Sequence, residues 1–171
     1  LDELQVLFEK HANEIACFIS SPYDHPVSKD NELPKEGYWE GVSKLCKKHD
    51  VLLIIDDVRA GFRINLSGSN VEYGFKPDLI CFGKAIANGH ALSALVGTNE
   101  IKEVAEKVYF TGTQFFSAPP MAAACATLKE LKKVDAANKM TEYGKKLNES
   151  LVNAAEQSGF DLIASGIPAM P

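Results

Sequence analysis

The chain has 171 residues, 46% of them hydrophobic and 24% charged, and a formal net charge of −5. Such a length suits one domain or a large piece of one, able to bury roughly two thirds of its unfolded surface, and the composition is that of an ordinary globular protein. The absence of any basic face excludes a nucleic-acid footprint, and no apolar run approaches the ~18 residues that span a bilayer. Lys47-Lys48, Lys132-Lys133 and Lys145-Lys146 are isolated pairs that read as solvated helix faces. Cys17, Cys46, Cys81 and Cys125 have no metal-ligand spacing and are expected to be buried free thiols of a reducing, cytoplasmic compartment. His11, His25, His49 and His90 form no i,i+4 pair and suggest no zinc site. The chain opens at Leu1 inside an amphipathic pattern without Met, and so reads as cut from a longer protein.

Taken in order, residues 1–13 place Leu4, Leu7, Phe8 and His11-Ala12 on one helical face. Residues 14–19 (EIACFI) read as a short strand, and 20–35, with Pro22, Pro26 and Pro34, as a loop. A loop at the C-terminal end of a strand is where open α/β sheets keep their ligands. Residues 38–49 suit a helix, and 51–55 a strand apolar on both faces, as in a parallel sheet covered by helices on each side. Residues 58–76 look irregular; Pro77-Asp78 introduces a strand over 79–82, and 85–91 is a small-residue, glycine-containing segment. A strand over 92–97 leads through Thr98, an expected N-cap, into a helix over 99–107. A glycine, threonine and aromatic loop over 108–120 ends on Pro119-Pro120, read as a stop, and helices follow over 121–133 and 134–158. Residues 160–164 suggest a further strand. Strands that alternate with helices predict an α/β fold built on a mainly parallel sheet.

Two apolar runs carry polar residues at their exits. Val51–Ile55 ends in Asp56, and Leu79–Phe82 ends in Gly83 and Lys84. Pyridoxal phosphate needs that pair: a carboxylate that keeps its ring nitrogen protonated as an electron sink, and a lysine amine that holds its aldehyde and then moves protons. An aspartate at a strand end alone equally reads as a turn cap. The run VLLIIDD also reads as the magnesium-binding strand of a P-loop ATPase, which requires the phosphate loop G-x-x-x-x-G-K-[ST]. Gly83-Lys84 is followed by Ala85 and has no glycine five residues before it, so that loop is absent here.

The segments LLIIDDVRAGFR, YGFKPDLICFGKAIANGHALSALVG and TGTQFFSAPPMAAACATLKEL resemble the class III pyridoxal-phosphate enzymes, the fold type I aminotransferases and their relative glutamate-1-semialdehyde aminomutase. The resemblance runs from Leu1 to about Gly159. It implies an aspartate-aminotransferase-like large domain over 1–133, with an exit helix and the start of a small C-terminal domain over 134–171. It also implies that Asp56 faces the pyridinium nitrogen, Lys84 forms the Schiff base, and Val58 packs against the ring. Gly112 and Thr113 would bind the cofactor phosphate of a neighbouring subunit, hence a homodimer acting on a small-molecule amino donor and acceptor. The reaction implied is amino-group transfer, between molecules or within one. A turn role for Thr113 stays open beside the phosphate role.

Several positions depart from the family pattern. Asp57 stands where Glu is usual, and Arg59 where Gln or Met is commoner, next to the cofactor ring. Arg59 could pair with Asp57, meet a substrate carboxylate or point to solvent. Ser20-Ser21-Pro22 replaces a Glu-Pro, and Phe115-Phe116 replaces smaller residues in a stretch one residue longer. The family's glycine-rich phosphate turn and ring-stacking aromatic would precede Leu1. An inactive fragment kept as an interaction module therefore remains an alternative reading, beside the ATPase.

Overall fold

A computed structural model of the chain describes residues 1–23 and 28–170. His25, Pro26 and Pro171 lie outside the described residues. The elements run α1 (Asp2–Lys10), β1 (Cys17–Ser20), α2 (Tyr38–Lys48), β2 (Leu52–Asp56), α3 (Ser69–Glu72), β3 (Leu79–Phe82), a 3-10 turn (Lys84–Ala87), β4 (Ala94–Gly97), α4 (Asn99–Ala105), α5 (Ala118–Lys133) and α6 (Ala136–Gln157). The strands form one sheet in the order β1-β2-β3-β4. The first three run parallel, and β4 returns antiparallel to β3. The sheet is thus mainly parallel, as the alternation of strands and helices predicts.

Register decides which side chains share a face. Phe18 pairs with Leu53, Ile55 with Ile80, and Ile80 with Val96. Residues opposite one another point the same way, so these line one face. Against it lie Phe8 of α1 and Trp39, Val42 and Cys46 of α2, closing a core around Leu53 and Ile55. Both are at most 1% exposed, and full burial of such a side chain is worth about 1.5–3 kcal/mol. Trp39 anchors α2 further: its ring stacks on Phe75, and its Nε1–H donates to the Pro22 carbonyl at 3.0 Å.

The opposite face is a departure from the expectation of helices on both sides. Ile19, Leu52 and Leu95 belong to it by register and are 57%, 40% and 63% exposed. Val, Leu and Ile on both sides of β2 do mark a doubly covered strand, but within this chain only one face is covered.

A second apolar cluster joins Phe62, Phe82, Ile86, Ala87 and Ala124, so α5 packs onto the 3-10 turn that begins at Lys84. A third joins Tyr23, Ala60 and Met170. It returns the C-terminal segment to the loop after β1, where the Ile167 N–H donates to the Tyr23 hydroxyl at 3.2 Å and the Asn31 N–H to Ser165 Oγ at 2.9 Å.

Several sequence expectations change. Helix α1 stops at Lys10, and β1 begins at Cys17, after Asn13 has turned the chain with φ +65°. The Pro119-Pro120 pair opens α5 instead of stopping the segment before it; proline costs nothing in a first turn, where the N–H has no helical partner. The irregular stretch contains α3, the small-residue segment contains the 3-10 turn, and 160–164 is not a strand. All four cysteines are free, but only Cys46 is buried; Cys81 is half-buried, and Cys17 and Cys125 are exposed. Among the described residues no helix is long and apolar enough to cross a membrane.

Candidate active site

Asp56 is the last residue of β2 and pairs with Cys81 of β3. Two parallel strands therefore end side by side, and Gly83-Lys84 leaves the second just beyond Asp56's neighbour. A cavity of about 300 Å³ lies there, lined by Ser21, Pro22, Tyr23, Asp56, Val58, Arg59, Ala60 and Lys84. The structure thus brings together four of the six residues singled out from sequence: Asp56, Val58, Arg59 and Lys84. Gly112 and Thr113 do not line this cavity; they sit fully exposed in the loop between α4 and α5, beside the exposed rings of Phe110, Phe115 and Phe116, which pack on one another.

Local geometry fixes each group. Asp56 Oδ1 accepts the Val58 N–H at 3.1 Å, an Asx turn, and Oδ2 takes no partner among the described residues. Val58 leans against Gly83: a Cβ built there would lie 3.2 Å from Val58 Cγ1. Glycine at 83 therefore lets the valine pack between the two strand exits. Lys84 itself stands at φ +43°, a left-handed conformation uncommon for a residue with a side chain. Strain of that kind collects at functional sites. Lys84 also borders a second, larger cavity of about 630 Å³, whose lining includes Phe62, Arg63, Leu131, Val134 and Met140.

The two adjacent carboxylates differ by strand alternation. Asp56 is exposed to the cavity, whereas Asp57 is 1% exposed. Asp57 Oδ2 accepts the Ser69 N–H at 2.9 Å, and Oδ1 is buried without a partner. Burial pushes its carboxyl above the usual range; the Ser69 hydrogen bonds oppose this and the Asp56 charge adds to it. No ion pair joins it to Arg59, which has no acidic partner among the described residues. Burial also raises the Cys81 thiol, with the Asp56 charge second, and takes the Tyr73 phenol up to about 12.

Sequence reasoning marked Ser20-Ser21-Pro22 as a departure from the family pattern without placing Ser21 in the cavity, and it did not single out Tyr23 or the interior role of Asp57. Tyr23 could have been suspected as an aromatic in the loop that follows β1. The Asp57 tie could not, because its donor is a backbone N–H.

Two parallel strand exits thus present a carboxylate and a lysine to one polar cavity. The aminotransferase class-III family model matches residues 1–165, and the chain belongs to that family. It is 36% identical over its whole length to the 3-aminobutyryl-CoA aminotransferase of Cloacimonas acidaminovorans, covering 42% of that protein. It is likewise 36% identical, over 99% of its length, to the glutamate-1-semialdehyde 2,1-aminomutase of Legionella pneumophila, covering 40% of it. Among solved structures, the PLP internal aldimine form of the FumI protein from a Sphingopyxis species superposes with a TM-score of 0.93 at 34% identity, over 98% of this chain and 40% of that one. The chain thus spans about 40% of the length of the relatives it matches. The ATPase alternative finds no support.

Proposed function

We propose that the polypeptide carrying this chain is a pyridoxal-phosphate-dependent enzyme that transfers an amino group, as an aminotransferase or an aminomutase. The supporting observation is the convergence of Asp56, Val58, Arg59 and Lys84 on one cavity at adjacent parallel strand exits. That set fits the cofactor. Asp56 Oδ2, which takes no partner among the described residues, suits a protonated ring nitrogen, Val58 offers an apolar wall for a flat ring, and Lys84 supplies the amine for an aldehyde. When bound, the cofactor would serve as the electron sink for the substrate carbon.

The chain's own residues then have these tasks. Lys84 would hold the cofactor through its amine, and its Nζ, when free, would be the group placed to take a proton from the substrate carbon and to return one. Asp56 favours the cationic ring by charge. Arg59, a cation on the cavity wall without an acidic partner among the described residues, suits an anionic group of cofactor or substrate. Gly112 and Thr113, on an exposed loop away from this cavity, suit the phosphate of a cofactor held by a second subunit, with a hydroxyl and adjacent N–H donors. That reading requires a homodimer; small-molecule amino donors and acceptors and a cytoplasmic location complete the proposal. Residues 1–133 would form part of the cofactor-binding domain, and 134–171 the exit helix and the start of a small domain. The relatives named above act on different amino compounds by their names, and the substrate here belongs to that range of amines and amino acids.

The test is spectroscopic. The full polypeptide with added pyridoxal phosphate is expected to gain a visible absorbance band that Lys84→Ala abolishes. A band that persists in Lys84→Ala would show that another amine holds the cofactor.

A further inference from the structure

Residues 57–69 form a closed loop whose two ends meet at Asp57. The Asp57 N–H donates to the Cys81 carbonyl at 3.0 Å, and the Asp57 carbonyl accepts from the Gly61 N–H at 2.9 Å. Its buried carboxylate accepts the N–H of Ser69, the far end of the loop. Between these points the backbone bonds mostly to itself, Arg63 and Ile64 N–H to the Ala60 carbonyl, and Phe62 and Gly68 N–H to that of Asn65. The loop carries Val58 and Arg59 into the cavity, and its base is anchored to β3 two residues before Gly83.

We propose that Asp57 is a positioning residue: its carboxylate clamps Ser69, closes the 57–69 loop at its base, and so aims Val58 and Arg59 at the cavity beside Lys84. The part played by the aim of those side chains rests on the cofactor reading above; the clamp itself does not. Asp57 touches no reacting atom. It is 1% exposed and makes no ion pair with a lysine or arginine among the described residues, a costly arrangement for a carboxylate kept only for packing. Gly68 makes the approach possible. It sits at φ +102°, and a Cβ there would crowd Asn70 Oδ1 at 2.7 Å and come within 3.4 Å of Asp57 Oδ2.

Two variants separate the clamp from simple folding. Asp57→Asn keeps an oxygen that can accept the Ser69 N–H; Asp57→Ala removes it. In the full polypeptide without cofactor, trypsin should cut after Arg59 or Arg63 at least about tenfold faster in Asp57→Ala than in wild type, with Asp57→Asn close to wild type. With pyridoxal phosphate, Asp57→Ala should need about tenfold more cofactor to reach half of the Lys84-dependent absorbance, and Asp57→Asn should restore it. Equal trypsin rates in all three proteins would overturn the clamp. So would an Asp57→Asn protein as impaired as Asp57→Ala, since charge and not the hydrogen bond would then be the cause. If Asp57→Ala loses its fold by circular dichroism, Asp57→Asn alone decides, because the clamp requires wild-type behaviour of it. Failure of the visible band in wild type would refute the cofactor reading and leave the trypsin result standing.

Discussion

At the scale of single residues, Asp56 and Asp57 show how one step along a strand assigns opposite tasks. Asp56 faces the cavity, and Asp56→Asn in the full polypeptide is expected to lower kcat by about 100-fold or more, as loss of a preorganised charge at a reacting centre commonly does, while circular dichroism stays unchanged. Asp57 titrates within the fold. Its pKa is raised above 3.8 by burial, so the folded state binds its proton more tightly than the unfolded state does. Stability therefore falls as pH rises from the ordinary carboxylate value through the raised folded value, and is regained on acidification across that window. Urea midpoints measured from pH 4 to 7 should show this slope in wild type and a flatter one in Asp57→Asn; parallel curves would assign the titration elsewhere. The placement of Asp56 and Lys84 at strand exits was legible in the sequence because each follows a short apolar run, Val51–Ile55 and Leu79–Phe82, bounded by turn residues. The Asp57 clamp was not, since its partner is a main-chain donor 12 positions on, and any residue but proline supplies one there. The tie between Tyr23 and the segment around Ile167 was hidden likewise, because the two are far apart in sequence.

Among elements, β2 and α2 carry the covered side of the sheet. Leu53→Ala is expected to cost about 2–5 kcal/mol, as for other large-to-small changes in a closed core. Leu52→Ala, one residue earlier on the bare face, should stay within about 0.5 kcal/mol in this chain, and urea unfolding of the pair reads the contrast directly. On α2, burial and the charge of Asp78 raise the Cys46 thiol to about 11. Iodoacetamide at pH 8 should leave it untouched in the folded chain and label it in urea; labelling at equal rates in both would mean that α2 frays from the sheet. The helices and strands were readable from periodicity, but their ends were not. Proline-proline looks the same before a loop and inside a first turn, and only the packing of α5 on the 3-10 turn distinguishes the two.

For the whole molecule, one side of the sheet is finished and the other is not. Ile19, Leu52 and Leu95 are exposed apolar side chains on that face by register, and apolar surface left open in this way drives association. The 171-residue chain alone is expected to self-associate with rising concentration in sedimentation runs, and Ile19→Lys to shift it toward monomer; a wild-type monomer at all concentrations would argue that the face is closed in solution. The left-handed backbone at Lys84 has its own consequence for the entire fold. Glycine adopts that conformation freely, whereas a residue with a Cβ gives up about 1–2 kcal/mol to it. A Lys84→Gly protein should therefore melt above Lys84→Ala and at or above the parent, while losing the amine that function needs. Thermal robustness alone would thus be served better by glycine at this position, and on the proposed function the amine is what lysine offers in return for that strain.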